Sequence, residues 1–151
     1  MLTAVFTPAF CVFLAFAVPI SVIDIRSYRI PDILSLPCFI LLLIVYCVTA
    51  PSDLPLALLS SSVSAILFLL IRVTTKGLGF GDVKYAAVVG LFCGFPYILA
   101  AFLAAALTGL IAAVVLIVFL KKDRSVRIPF APFLAAGAVA AHLVSVLAPF
   151  Y

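Results

Sequence analysis

Long apolar runs broken by short polar segments set the pattern of the chain. The first run, Leu2 to Ile23, ends at a polar stretch from Asp24 to Asp32. The second, Ile33 to Thr49, ends at the turn Pro51-Ser52-Asp53. The third, Leu54 to Val73, opens on Pro55, as helix starts often do, and runs into a loop from Thr74 to Gly81 that holds three glycines. A helix that spans a bilayer needs about 20 mainly apolar residues, each rising about 1.5 Å. Each of these runs therefore predicts one helix. Asp82 to Leu120 is too long for a single span, and Gly94-Phe95-Pro96 breaks it. The pieces are a short fourth helix over about 82–94 and a fifth over about 97–120. Beyond the charged loop Lys121–Arg127, Pro129 or Pro132 starts a sixth helix that reaches about Pro149. No Lys or Arg precedes the first run and no A-x-A site follows it, so it is expected to be a helix and not a secretory signal.

Composition turns this pattern into a class. Of the 151 residues 68% are hydrophobic and 9% are charged. Soluble domains hold roughly 45–50% apolar and about 25% charged residues. So much apolar material cannot be covered by so little polar surface, which excludes a soluble enzyme, a disordered chain and a disulfide scaffold. The expected fold is an all-α integral membrane protein of six transmembrane helices, a single domain over residues 1–151. Cys11, Cys38, Cys47 and Cys93 all lie in apolar runs and form no C-x-x-C pair, so no metal site is expected. The net charge of +4 does not point to nucleic acid, because the basic residues sit in short loops between the spans.

The distribution of those residues predicts orientation. The loops after the first, third and fifth helices carry Arg26 and Arg29, then Arg72, Lys76 and Lys84, then Lys121, Lys122, Arg124 and Arg127, which are all nine basic residues. The other face carries only Asp53. By the positive-inside rule the three basic loops are cytoplasmic and both termini extracytoplasmic. A wrong helix count would scatter the charges over both sides.

Four of the five aspartates fall on the basic face: Asp24, Asp32, Asp82 and Asp123. Asp123 sits among Lys121, Lys122 and Arg124 and reads as a solvated loop charge. Asp32 follows Pro31 and reads as a first-turn carboxylate favoured by the helix dipole. Asp24 stands at the membrane boundary, where ionisable groups are costly and often functional. It is either such a group or a helix-end carboxylate paired with Arg26 or Arg29. Asp82 closes Gly77-Leu78-Gly79-Phe80-Gly81-Asp82. It is either the N-cap of the fourth helix or a reactive carboxylate beside a loop whose glycines allow positive φ and close backbone approach. The loop lacks the GK[ST] and the strand of a nucleotide fingerprint. Two carboxylates at one face suggest an aspartyl dyad: one, ionised, takes a proton from water, and the other, protonated, donates to a peptide carbonyl. Which carboxylate takes which role stays open.

Three segments carry more than residue type. They are Asp24-Ile25-Arg26-Ser27-Tyr28-Arg29-Ile30-Pro31-Asp32, then Gly79-Phe80-Gly81-Asp82-Val83-Lys84, then Ile128-Pro129-Phe130-Ala131-Pro132-Phe133-Leu134-Ala135-Ala136-Gly137. In this order they resemble the D-x5-I-P-[N/D], G-x-G-D-x-K and I-P-[FY]-[GA]-P-[FA]-L-x-x-G segments of the type IV prepilin peptidases. These are GxGD-type intramembrane aspartyl proteases that include the archaeal preflagellin peptidases. The resemblance spans about residues 10–140. It implies that Asp24 and Asp82 are the catalytic pair. The active-site loop and substrate neighbourhood would take in Gly79, Phe80, Gly81, Lys84, Pro31, Asp32, Pro129 and Pro132. It also implies cleavage of a short basic leader from prepilin-like precursors (pilin, pseudopilin or flagellin-like) at the cytoplasmic face of the inner membrane, in the service of type IV pili and secretion. No cofactor, metal or nucleic-acid partner is implied, the bilayer is the other partner, and a homo-oligomer is left open. Without paired C-x-x-C motifs and an N-terminal hydrophobic extension, the chain is similar to the short form found with tight-adherence pili and preflagellins, and no methyltransferase activity is expected.

The rival class is a small transporter or channel using Asp24 and Asp82 as proton or cation sites. Carboxylates near the midplane on broken helices would favour it, whereas these sit at the membrane edge. Lys84 reads either as a snorkelling helix-end lysine or as a neighbour of the ionised carboxylate or substrate. Phe80 reads as membrane-edge packing. Pro129 and Pro132 shape the entry to the sixth helix, with a role in substrate gating left open. His142 reads as a packed or hydrogen-bonded histidine, and Gly109, Ala112 and Ala113 as helix-packing positions.

Overall fold

The computed structural model describes residues 7–75, 77–119 and 128–147. All six expected helices are present: α1 Pro8–Ser27, α2 Asp32–Thr49, α3 Leu54–Thr75, α4 Phe80–Cys93, α5 Tyr97–Val114 and α6 Ala131–Leu147. A π-helical stretch, Val115–Phe119, extends α5. Four of them, α1, α2, α3 and α5 with part of its extension, are long and apolar enough to cross a membrane. Large apolar side chains such as Ile33, Val48, Leu103 and Leu110 point outward, as lipid-facing positions do. The chain is a multi-pass membrane protein.

Short α4 is the hub. Eight of its residues are buried, from Val83 to Phe92, and it touches all five other helices. Its closest partner is α3, and the next tightest pair is α5 with α6. Small residues set both approaches. A Cβ on Gly90 would stand 2.8 Å from the Ser60 carbonyl oxygen and 2.9 Å from Ser61 Cα. Ser61 Oγ donates to the Ala87 carbonyl at 2.8 Å. A Cβ on Gly137 would run into the Ala101 carbonyl and stand 3.0 Å from the Ala105 nitrogen. In a bilayer, where lipid is as apolar as leucine, close backbone approach and buried hydrogen bonds drive helix pairing. Gly109, an expected packing position, faces Phe130 and Phe133 more loosely, with neighbours at 3.6 Å or more, an ordinary contact.

The helix ends depart from expectation in ways that matter for the site. Thr7 caps α1, its Oγ1 accepting from the Phe10 N–H at 3.2 Å. The helix does not stop at Ile23 but runs through Asp24 to Ser27, because Tyr28 takes the left-handed conformation (φ 52°) that closes it. Arg26 and Ser27 are tolerated in this last turn because they are exposed. Asp24 is thus the last member of the buried stripe Phe10, Phe13, Ala17, Ile20, Asp24. The break at Pro96 falls as expected between α4 and α5. Helix α6 begins at Ala131, between the two prolines proposed as its start. Lys76, the Lys121–Arg127 loop with Asp123, and Pro149 lie outside the described residues.

Candidate active site

Two connections and three helix ends meet at one end of the bundle around a cleft of about 520 Å³. Eight of the sequence-predicted residues line it: Asp24, Pro31, Asp32, Gly79, Phe80, Gly81, Asp82 and Lys84. Pro129 and Pro132 do not. They flank Ala131, whose backbone N–H donates to Asp24 Oδ2 at 2.9 Å. This hydrogen bond joins residues 107 positions apart and lies at the first residue of α6, where free N–H groups and the helix dipole favour a negative charge. Asp24 is only 4% exposed, and this donor gives its buried carboxyl group a hydrogen-bond partner.

Asp82 comes from the opposite direction. It is not the N-cap of α4. Gly79 holds that position and Asp82 sits two residues beyond the helix start, reaching back so that its Oδ2 accepts from the Gly79 N–H at 2.9 Å. This is the side-chain half of a capping box, and it turns the carboxylate into the cleft. The two carboxylates act on each other electrostatically, and Asp82 lies outside the four long spans. Burial raises its carboxyl above the ordinary carboxylate range; the Gly79 N–H opposes the rise, the Asp24 charge adds to it, and the Arg72 charge opposes it.

The glycine loop works by space and not by unusual backbone angles. Among the described residues positive φ is found at Gly94 and Tyr28 alone; Gly79 has φ −76°. What Gly81 needs is a missing side chain. A Cβ there would stand 2.8 Å from Ile30 Cβ and 3.3 Å from the Ile30 carbonyl oxygen. The G-x-G-D loop is therefore pressed onto the segment between α1 and α2. At the cleft mouth, Lys84 Nζ pairs with Asp32 Oδ2 at 2.6 Å, both side chains being about half exposed. This pair tethers α2 to α4, a link that neither of the separate readings of Lys84 and Asp32 contained.

Arg72 is the residue the sequence reading missed, having counted only as a cytoplasmic charge. From the last turn of α3 its Nη1 donates to the Leu78 carbonyl at 2.7 Å, and its guanidinium carbon lies 4.4 Å from the centre of the Phe80 ring. Phe80, expected to do no more than pack at the membrane edge, is a cation–π partner. The only sequence signal was a basic residue one short loop ahead of a G-x-G-D.

Fold and site together define a helical membrane protein with a carboxylate pair in a cleft at one end of its bundle, each carboxylate held by a backbone N–H. Comparison with known proteins gives that class a family. A match to the type IV leader peptidase family covers residues 11–114, and the chain belongs to that family. It is similar to proteins named prepilin leader peptidase/N-methyltransferase: 34% identical to that of Xanthomonas campestris pv. campestris over 80% of this chain and 44% of the relative. It is 31% identical to that of Bacillus subtilis over 87% and 54%, and 30% identical to that of Escherichia coli over 91% and 63%. The chain spans about half the length of these relatives. No solved structure matches it.

Proposed function

We propose that the chain is an aspartyl endopeptidase that removes the leader from prepilin-like precursors. The observation that carries this reading is the meeting of Asp24 and Asp82, from α1 and α4, in one open cleft. An extended substrate peptide enters beside the 79–81 loop. The ionised carboxylate takes a proton from water as the water oxygen attacks the scissile carbonyl, and the protonated partner gives its proton to the carbonyl oxygen. The tetrahedral gem-diol then collapses: the C–N bond breaks, the leaving nitrogen takes a proton from one carboxyl group, and the other carboxyl group recovers the proton of the gem-diol hydroxyl. The dyad ends with one proton, as it began, and titrates as a unit.

The cleft is the cytoplasmic end on this reading. The basic residues among the described positions, Arg26, Arg29, Arg72 and Lys84, gather at this end, and Asp53 stands at the other. Transport would favour carboxylates deep in the span on broken helices, and these sit at helix ends. The relatives' names include a methyltransferase activity; the carboxylate pair bears on the peptidase activity alone. The test is incubation of the purified protein in detergent with candidate prepilins and sequencing of the new amino terminus. Cleavage by the wild type, with loss in both Asp24→Asn and Asp82→Asn, is the expected result. Cleavage that persists in either variant rejects the dyad.

A further inference from the structure

The carbonyl of Leu78 and the N–H of Gly79 belong to one peptide group. Arg72 Nη1 donates to the oxygen of that group at 2.7 Å, and the nitrogen on its other side donates to Asp82 Oδ2 at 2.9 Å. A cation therefore faces the acceptor end of a single planar amide whose donor end faces a carboxylate. A peptide group is a dipole, and a positive charge at its oxygen draws electron density toward the oxygen and strengthens the N–H as a donor. The same guanidinium packs on the ring of Phe80, the residue after Gly79, at 4.4 Å. That second contact gives the guanidinium two points of attachment to the loop.

We propose that Arg72 is a positioning residue for Asp82, acting through the Leu78–Gly79 peptide to orient the Asp82 carboxyl group and to favour its ionised form. This deepens the peptidase reading and rests on it: the proton transfer that Asp82 carries out depends on how readily its carboxyl group ionises, and Arg72 eases that ionisation. The other charged and titratable groups of the cleft are Asp24 and Tyr28 on α1 and its cap, Arg29 in the following connection, Asp32 on α2, and Lys84 on α4 itself. Lys84 is neutralised by Asp32 at 2.6 Å. Among the described residues, Arg72 is the cation with a hydrogen-bonded route to Asp82.

Two substitutions separate charge from shape. Arg72→Gln removes the charge and leaves a shorter polar side chain that still carries an N–H donor. Arg72→Lys keeps the charge and loses the flat face on Phe80. The limb of the pH–rate profile for leader cleavage that Asp82 sets should move up by about 0.5–1 pH unit in Arg72→Gln, less than the shift of a carboxylate in direct contact with arginine. In Arg72→Lys the limb should stay near the wild-type position. A second readout needs no activity. The chain has five acidic residues, all Asp, so 13C labelling of the Asp carboxyl carbons in detergent micelles gives a spectrum of five signals. The one removed by Asp82→Asn should titrate higher in Arg72→Gln, while unchanged Asp53 and Asp32 signals report an intact fold. An unmoved Asp82 titration in Arg72→Gln overturns the inference. An equal shift in both variants overturns it as well, since the contact and not the charge would then matter. Failure of the peptidase reading looks different: no cleavage by the wild type, whatever the NMR titration shows.

Discussion

The two ends of the bundle hold cavities of similar size and different chemistry. The cleft of the dyad, about 520 Å³, collects Asp24, Arg29, Asp32, Asp82 and Lys84. The cavity at the other end is larger, about 580 Å³, and Asp53 is its one acidic lining residue. Rings fill that end instead. Phe13 and Phe92 stack with centroids 4.2 Å apart, and His142 lies flat on Phe10 at 4.9 Å. His142 is thus packed, far from the carboxylates, as its isolation in the sixth apolar run implied. On the proposed reading, volume does not mark the reactive end. Converging charges held by backbone donors do, because each buried charge needs a partner to be tolerated.

The comparison breaks most sharply with the dyad itself. Asp24→Asn and Asp82→Asn should each lower the cleavage rate by at least about 10²–10⁴-fold, the range of a lost proton-transfer group. Asp53→Asn and His142→Phe at the other end should leave it within a factor of about three, a surface and a packing change away from the chemistry. Cleavage at matched membrane levels measures both; a large loss in the second pair would move the active end.

Gly81 comes next. Gly81→Val places atoms where Ile30 stands, and overpacking of this kind costs about 1–3 kcal/mol. The loop must shift and carry Asp82 with it, so cleavage should fall at least tenfold, about 1.4 kcal/mol in the barrier. A Cβ on Gly77 meets nothing closer than 3.9 Å, and Gly77→Ala should be mild. Normal cleavage by Gly81→Val beside a damaged Gly77→Ala would make the loop a hinge set at its start.

The tether at the mouth is a smaller effect. An ion pair with about half its surface in water contributes roughly 0–1 kcal/mol. Lys84→Met and Asp32→Asn should each change cleavage less than about fivefold, with the double variant close to the single ones, as expected of one shared contact. Losses that add up fully would show that the two residues act separately. A last measurement changes no rate: reporters fused after Tyr28 should read as cytoplasmic and after Ser52 as extracytoplasmic. The reverse result would turn the bundle over and place the dyad on the outer face.

Much of this molecule was legible from local chemistry. Apolar runs of spanning length, the stop at Gly94-Phe95-Pro96 and the one-sided basic residues follow from what a bilayer tolerates, and each acts over a few neighbouring residues. The candidate aspartates were legible for the same reason: a carboxylate at the end of an apolar run is expensive wherever the chain goes. Only the tertiary structure decided what holds them. Asp24 takes its donor from Ala131, across 107 positions. Lys84 finds Asp32 52 positions away, and Gly90 and Gly137, more than Gly109, bring helices into close approach. Even the short-range link from Arg72 to Leu78 depends on how α3 ends against α4. Spacing along a chain fixes which residues share a helix face, but a hydrogen bond is set to within a few tenths of an ångström, and that placement comes only when the six helices pack.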